Sequence, residues 1–74
     1  MTMGESMRAA REKAGLTRIK LSEISGVSIQ SIYNYEENKT SPNILCVEAL
    51  ADSLGISIDE YIGHKVKEVK QDEN

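Results

Sequence analysis

The chain has 74 residues, a formal net charge of −3 and a hydrophobic fraction of 39%. This length allows one domain with a modest core, and a domain of this size gains stability from a partner subunit. The single cysteine, Cys46, excludes an intramolecular disulfide framework, and the absence of a secretory leader and of a long apolar run leads us to expect a cytoplasmic protein with no membrane partner.

The first predicted helix begins after Thr2, where the pattern Thr2-x-x-Glu5 is typical of a capping box, and it ends at Gly15. Apolar residues at helical spacing predict its buried stripe, which consists of Met3, Met7, Ala10 and Ala14. Because two of these residues are alanines, we expect the neighbouring helices to approach closely.

Two short helices joined by a tight turn at Gly26 are predicted next. They run from about Arg18 to Ser25 and from about Ile29 to Glu36 or Glu37, with Thr17 and Ser28 as N-caps. This spacing is typical of a helix-turn-helix, whose second helix commonly enters the DNA major groove. Asn38 ends the third helix because asparagine tolerates the left-handed conformation. The residues expected to face inward are Leu21, Ile24, Ile32 and Tyr35.

A fourth helix is predicted after the loop at 39–42, capped by Asn43 or Ser41 and stopped by Gly55. Its expected buried residues are Ile44, Val47, Leu50, Ala51 and Leu54. A fifth helix begins at Ser57, where Ser57-x-x-Glu60 predicts a second capping box, and Gly63 ends it. Residues 64–74 are polar, and we expect them to form a frayed tail.

The third helix has an outward stripe of Ile29, Gln30, Tyr33 and Asn34. Isoleucine and tyrosine are unusual choices for a solvated surface, although scattered exposed apolar side chains are ordinary in soluble proteins. The functional interpretation is a face that reads DNA bases. Both amides are able to pair with adenine N6 and N7, and Ile29 is suited to contact a thymine methyl group.

Three segments of the chain, at 3–17, 27–42 and 49–62, resemble in register the first helix, the recognition helix with its loop, and the last two helices of the Cro/C1-type (XRE) helix-turn-helix family. The resemblance implies an all-α, five-helix lambda-repressor-like domain over residues 1–63, followed by the polar tail. It implies base contacts from Ile29, Gln30, Ser31, Tyr33 and Asn34, and phosphate contacts from Arg18, Ser28, Lys39 and Thr40. It also implies a structural salt bridge between Arg11 and Glu36. Glu37 departs from what DNA binding favours, because an acid at that position repels phosphate.

Charge is distributed unevenly along the chain. Residues 1–42 hold six Lys or Arg against five acids, giving +1, whereas residues 43–74 hold three Lys against seven acids, giving −4. The candidate DNA-facing half is therefore nearly neutral. We expect weak nonspecific binding, with specificity that depends on groove fit and on two-site binding by a dimer.

The favoured hypothesis is a sequence-specific transcriptional regulator, a repressor-type homodimer that reads an inverted repeat in double-stranded DNA. Its dimer contact is expected from Ile62, Val66 and Val69 with parts of the last two helices. The alternative is a protein-interaction module, antitoxin-like or adaptor, with weak or no DNA binding. We expect no enzymatic activity, since the lone His64, Cys46 and scattered carboxylates form neither a triad nor a metal site. No cofactor or small-molecule ligand is implied.

Overall fold

A computed structural model describes residues 1–63, which form five α-helices. The helices are α1 (Met3–Lys13), α2 (Arg18–Ser25), α3 (Ile29–Glu36), α4 (Ile44–Leu54) and α5 (Ile58–Ile62). This part of the chain contains no β-strand, so the predicted all-α, five-helix fold class is confirmed. None of these helices is both long enough and apolar enough to cross a membrane. The predicted tail at 64–74, with His64, Val66 and Val69, lies outside the described residues.

Each helix begins at a side-chain cap. In every case the cap accepts the backbone N–H of the residue three positions further along, and the five caps are Thr2, Thr17, Ser28, Asn43 and Ser57. These bonds satisfy N–H groups that have no partner within the helix. Both bonds of the capping box predicted at Thr2 are present. Of the capping box predicted at Ser57, the described residues form one bond, in which the Glu60 N–H donates to the serine hydroxyl.

The turn between α2 and α3 is built at Gly26, whose φ of 79° lies in the left-handed region. Side chains of α2 fix the turn from both sides. The Ser22 hydroxyl donates to the Val27 carbonyl at 2.7 Å, and the Val27 N–H donates to the Ser25 hydroxyl at 3.1 Å. Asn38 ends α3 with a φ of 60°, as predicted from its tolerance of this conformation.

All five helices contribute to a single apolar core. Its buried members are Met7, Leu21, Val27, Ile32, Val47, Leu50, Ala51 and Tyr61. Helix α1 packs on α3 and α5, α2 packs on α3 and α4, and α4 packs on α5. The core therefore lies between α1, α4 and α5 on one side and the α2–α3 pair on the other, and one face of α3 points away from it.

Four residues predicted to be buried are exposed. Ile24 is 49% exposed, Ile44 is 61% exposed and Met3 is 40% exposed, and Ala14 is also at the surface. On α1, the buried face is rotated from the predicted apolar stripe toward Gly4, Ser6 and Arg11, although Met7 is fully buried and Ala10 is partly buried against the core as predicted. Apolar periodicity missed this face because small and polar residues are buried there with their polar groups satisfied.

Two residues on the buried face of α1 bring this helix into contact with elements distant in sequence. The Ser6 hydroxyl donates to the Tyr61 carbonyl at 3.1 Å, which ties α1 to α5. At Gly4, an added Cβ would lie 2.7 Å from the Tyr35 carbonyl oxygen, and closer still to that of Glu36. Only glycine therefore allows the first turn of α1 to approach the last turn of α3 this closely.

The Tyr61 hydroxyl is a buried polar group with no hydrogen-bond partner within residues 1–63. Its side chain is fully buried in the core. Burial raises the pKa of this hydroxyl above its ordinary value of 10.0, and the nearby Glu36 carboxylate adds to the rise. The neutral phenol is therefore strongly preferred in the folded protein.

Candidate nucleic-acid interface

Helix α3 presents one face to the core and the opposite face to solvent. Ile32 is fully buried and Val27, just before the helix, is 8% exposed. The stripe predicted to face outward does so in part: Ile29 is 44% exposed and Gln30 is exposed, whereas Tyr33 and Asn34 are partly buried. Ser31, the further base contact that the family resemblance implies, is also partly buried. The five residues expected to contact bases therefore lie along one accessible side of a helix whose orientation is fixed by the core.

The two amides on this face form a pair. Gln30 Nε2 donates to Asn34 Oδ1 at 3.1 Å, an i, i+4 contact of the kind that stabilises helices. The bond leaves Gln30 Oε1 as an acceptor and Asn34 Nδ2 as a donor. An acceptor next to a donor is complementary to adenine, which offers the N6 amino group and the N7 acceptor in the major groove.

Ser28 and Ser31 interact at the N-terminus of α3. The Ser28 hydroxyl accepts the Ser31 N–H at 3.1 Å and donates to the Ser31 hydroxyl at 2.9 Å. The first turn of a helix carries N–H groups without intrahelical partners and a partial positive charge. This end of α3 is thus suited to lie against a phosphate.

The predicted partners Arg11 and Glu36 form a bidentate ion pair in the interior. Arg11 Nε lies 2.7 Å from Glu36 Oε2 and Nη2 lies 3.1 Å from Oε1, while Nη1 donates to the Leu16 carbonyl at 2.7 Å. The Glu36 side chain is 0% exposed. Hydrogen bonding to Glu36 raises the pKa of Arg11. This pair holds α1 against α3.

Arg18 is the second cation on Glu36, a contact that sequence reasoning missed. Its Nε donates to Glu36 Oε1 at 2.9 Å, and its Nη2 lies 3.8 Å from Glu37 Oε2. The side chain is only 29% exposed. The predicted phosphate contact of Arg18 therefore competes with carboxylates of its own chain. No local pattern signals a pairing across 18 residues between two helices.

Tyr33 lies beside two cations. The Arg18 Cζ atom is 5.3 Å from the centre of the ring and Lys39 Nζ is 4.9 Å from it, both within the range of cation–π attraction. Lys39 and its neighbour Thr40, both expected to contact phosphate, are exposed just after α3. The structure thus brings Lys39 to the edge of the candidate base-reading face.

Asn38 has a role that the sequence did not indicate beyond ending α3. Its Oδ1 accepts the Gly4 N–H at 2.9 Å, and its Nδ2 donates to the Thr2 hydroxyl at 2.9 Å. The side chain therefore links the C-terminal end of α3 to the start of α1. Together with the ion pair of Arg11 and Glu36, this contact fixes the end of α3 from which Lys39 and Thr40 continue.

The described residues after Lys39 form an acidic half of the chain. Residues 40–63 include Glu48, Asp52, Asp59 and Glu60 but contain no Lys or Arg, whereas Arg18 and Lys39 lie beside α3. Within residues 1–63, no three His, Cys, Asp or Glu side chains lie close enough together to hold a metal ion. The described region thus combines polar side chains suited to recognition on α3 with acidic groups concentrated in α4 and α5.

Comparison with known proteins gives matches along most of the chain. A helix-turn-helix family model matches residues 7–61. The chain is 29% identical over 76 residues to the immunity repressor protein of Bacillus phage phi105, covering 100% of this chain and 53% of that protein. It is 28% identical over 64 residues to the HTH-type transcriptional regulator PuuR of Escherichia coli (strain K12), covering 86% of this chain and 35% of that protein. The chain thus spans about half the length of the phage repressor and less of PuuR.

A solved structure matches the fold. The crystal structure of the P22 c2 repressor protein in complex with synthetic operator 9T superimposes with a TM-score of 0.78 at 32% sequence identity. The match covers 88% of this chain and 98% of that chain. The five-helix arrangement found here is therefore the arrangement of a repressor domain in a solved operator complex.

Proposed function

The chain belongs to the Cro/C1-type (XRE) helix-turn-helix family, and from this premise we propose that it is a sequence-specific DNA-binding transcriptional regulator of the repressor type. Helix α3 enters the major groove as the recognition helix. The observation that carries the proposal is the exposed side of α3, where the paired amides of Gln30 and Asn34 lie beside Ile29 while the other side is fixed in the core. The operator complex of the P22 c2 repressor, which has the same fold, supports it.

Base reading falls to the exposed side of α3. Gln30 and Asn34 together offer an acceptor and a donor to adenine, and Ile29 packs on a thymine methyl group. Ser31 and Tyr33 complete the set of base contacts. These contacts specify sequence, whereas contacts to phosphate set the register of the helix in the groove.

Phosphate contacts surround this side. Ser28 with the N-terminus of α3 holds one phosphate, and Lys39 with Thr40 holds another at the opposite end of the helix. Arg18 lies beside the same Tyr33 ring as Lys39, and a contact from it to phosphate has to compete with its bond to Glu36. With phosphate contacts at only the two ends of α3, we expect one protomer to bind DNA with modest affinity. One recognition helix also covers too few base pairs for useful specificity.

The protein acts as a homodimer on an inverted repeat. Two copies of α3 separated by about 34–36 Å would lie in successive turns of the major groove on one side of the duplex. The contact comes from the acidic half, where Ile44 is 61% exposed and Leu45 is 73% exposed. Leu45, Ala49 and Ile58 line an open cleft on that side. Ile62 is partly buried against the core, so only part of its side chain is available.

Selection of bound duplexes from a random pool, followed by sequencing, tests this function. The full chain should enrich an inverted repeat at moderate salt, and the double variant Gln30→Ala, Asn34→Ala should fail to enrich it while retaining its helical content. Asp52→Asn, an exposed change in the acidic half, is the matched control and should enrich the same sequence. Failure of the parent chain to enrich any sequence would contradict the proposal and favour the protein-interaction module.

A further inference from the structure

Arg18 joins the buried Glu36 carboxylate to the ring of Tyr33 on the exposed side of α3. Its Nε donates to Glu36 Oε1 at 2.9 Å, its Nη2 lies 3.8 Å from Glu37 Oε2, and its Cζ lies 5.3 Å from the centre of the Tyr33 ring. Two donors of the guanidinium therefore face carboxylates, while the group as a whole lies over an aromatic ring. These are the two kinds of neighbour that arginine binds best.

The bond to Glu36 keeps Arg18 in this position. The Glu36 side chain is 0% exposed and has two arginine partners, Arg11 and Arg18. Moving Arg18 to a phosphate would leave a buried carboxylate with one partner fewer, which is unfavourable in a low-dielectric interior. Arg18 is thus better placed to act on Tyr33 than to leave for the DNA backbone.

Lys39 is a second cation beside Tyr33, and its Nζ lies 4.9 Å from the centre of the ring. A partly buried ring with a cation–π contact to each of two neighbours has little freedom to change rotamer. A side chain that is ordered before binding loses less entropy when it contacts a ligand, so its contact contributes more to affinity. The hydroxyl groups and amides elsewhere on α3 lack such a restraint from cations.

We infer that Tyr33 is a specificity-determining residue whose ring packs on the C5-methyl group of one thymine in each half-site, and that Arg18 is a positioning residue that acts through Tyr33. Aromatic rings are among the apolar groups that contact this methyl in the major groove. The inference rests on the proposed function, since it assumes that α3 lies in that groove. It assigns a part in base recognition to the contacts that connect Glu36 with Arg18 and Arg18 with Tyr33.

Replacement of thymine by deoxyuridine tests the inference, because it removes the methyl group and nothing else. In the operator enriched by the full chain, each thymine is replaced in turn and affinity is measured by fluorescence polarisation. For the parent and for Tyr33→Phe, two positions per half-site, one read by Tyr33 and one read by Ile29, should each weaken binding by about fourfold, the value expected for one buried methyl. Tyr33→Ala should lose the sensitivity at one of these positions and keep it at the other. Ile29→Ala is the matched control and should show the reverse.

Two variants test the part played by Arg18. Arg18→Lys keeps a cation beside the ring and should retain the sensitivity to deoxyuridine at the position that Tyr33 reads. Arg18→Gln keeps a donor for Glu36 but removes the charge, so the sensitivity should fall while the slope of affinity against salt stays that of the parent. A salt slope lowered by about 1 with the sensitivity intact would identify Arg18 as a phosphate contact and overturn its positioning role.

The outcomes separate this inference from the proposed function. Enrichment of an operator whose deoxyuridine sensitivity persists at every position in Tyr33→Ala would overturn the inference and leave the regulator proposal in place. A parent chain that enriches no operator would overturn both. Because Tyr33 lies at the surface and outside the apolar core, Tyr33→Ala remains a test even where a substitution at Arg18 prevents folding.

Discussion

On the proposed function, Gln30 is the residue on which we expect base preference to depend most directly. Its side chain is exposed on α3 and, within residues 1–63, is bonded only to Asn34, so we expect its truncation to leave the fold intact. We expect Gln30→Ala to cost roughly 1–3 kcal/mol of binding free energy and to relax preference at one position per half-site. Binding of all single-base operator variants, measured in parallel, checks this. Unchanged affinity and unchanged preference would show that another part of α3 reads the bases.

Tyr61 is a core residue in which the ring stabilises the fold and the hydroxyl does not. The hydroxyl is buried without a partner in the described residues, and such a group costs free energy that its removal restores. We expect Tyr61→Phe to leave the free energy of unfolding unchanged at neutral pH or to raise it by up to ~1 kcal/mol. Urea denaturation of both proteins measures the difference. A clear loss of stability would indicate a water bound to the hydroxyl.

The same hydroxyl predicts how stability depends on alkaline pH. In the unfolded chain it ionises near its ordinary pKa of 10.0, whereas burial raises its pKa in the folded protein. Above that pH the folded state binds more protons than the unfolded state, so the free energy of unfolding falls as pH rises. The contribution is fully present below pH 10.0 and is lost above it. Tyr61→Phe should therefore lose less stability than the parent when unfolding is compared at pH values of about 8 and about 11.

The contact between α1 and α3 depends on Gly4. Alanine is the better helix former by about 0.5–1 kcal/mol, yet a Cβ at this position would overlap carbonyl oxygens at the end of α3. We expect Gly4→Ala to lower the free energy of unfolding by about 1–3 kcal/mol, because the backbone of one helix must move. Ala9→Gly, an exposed change on the same helix, calibrates the propensity term. A stabilised Gly4→Ala would show that the two helices separate easily.

Glu36 holds three helices together, since its carboxylate binds Arg11 of α1 and Arg18 of α2 from its place on α3. We expect Glu36→Ala to destabilise the fold by up to ~3–5 kcal/mol, because two cations lose their buried partner. The neighbouring change Glu37→Gln is an exposed control, expected to alter stability by less than ~0.5 kcal/mol. Chemical denaturation compares the two. A stable Glu36→Ala that fails to bind DNA would instead indicate a direct role for this residue in recognition.

Local signals in the sequence were sufficient to predict the helices. A hydroxyl or amide cap stands before each helix, and the turn residues Gly26 and Asn38 have the positive φ that their chemistry favours. Such signals depend on the few residues around them, so they can be interpreted before the fold is known. The same holds for the outward direction of Ile29 and Gln30, which follows from helical periodicity.

Contacts between distant residues could not be predicted in this way. The second arginine on Glu36, the bonds of the Asn38 amide to α1 and the close approach at Gly4 each depend on how helices meet in space. Ile24 and Ile44 were expected in the core because they are apolar and follow the helical spacing of the buried residues. They are instead exposed on parts of α2 and α4 that no other described element covers. The face of α1 was misjudged for the opposite reason, since its buried residues are small or polar.

The proposed function requires two copies of the protein to assemble on DNA. We expect two protomers on one operator, with a contact that includes Leu45 and the chain after Gly63. Leu45→Ser, and separately removal of residues 64–74, should abolish cooperative binding, measured by sedimentation of the protein with operator DNA. A deletion that began at Ile62 would also disturb the core, so it starts after Gly63. Ile19→Ser, an exposed change on α2, is the control for loss of apolar surface. One protomer on a tight site without two-fold symmetry would contradict the prediction.

The acidic half formed by residues 40–63 has a consequence for the speed of association. The four carboxylates of this segment, which contains no Lys or Arg, repel a duplex that approaches them, while Lys39 attracts one that approaches α3. Collisions in the wrong orientation are then short-lived, and those that persist begin with the recognition helix facing the groove. Salt screens both effects over a Debye length of about 8 Å at physiological ionic strength, so this sorting weakens as salt rises. On the proposed function, we therefore expect carboxylates outside the recognition helix to help select the orientation in which the protein first meets DNA.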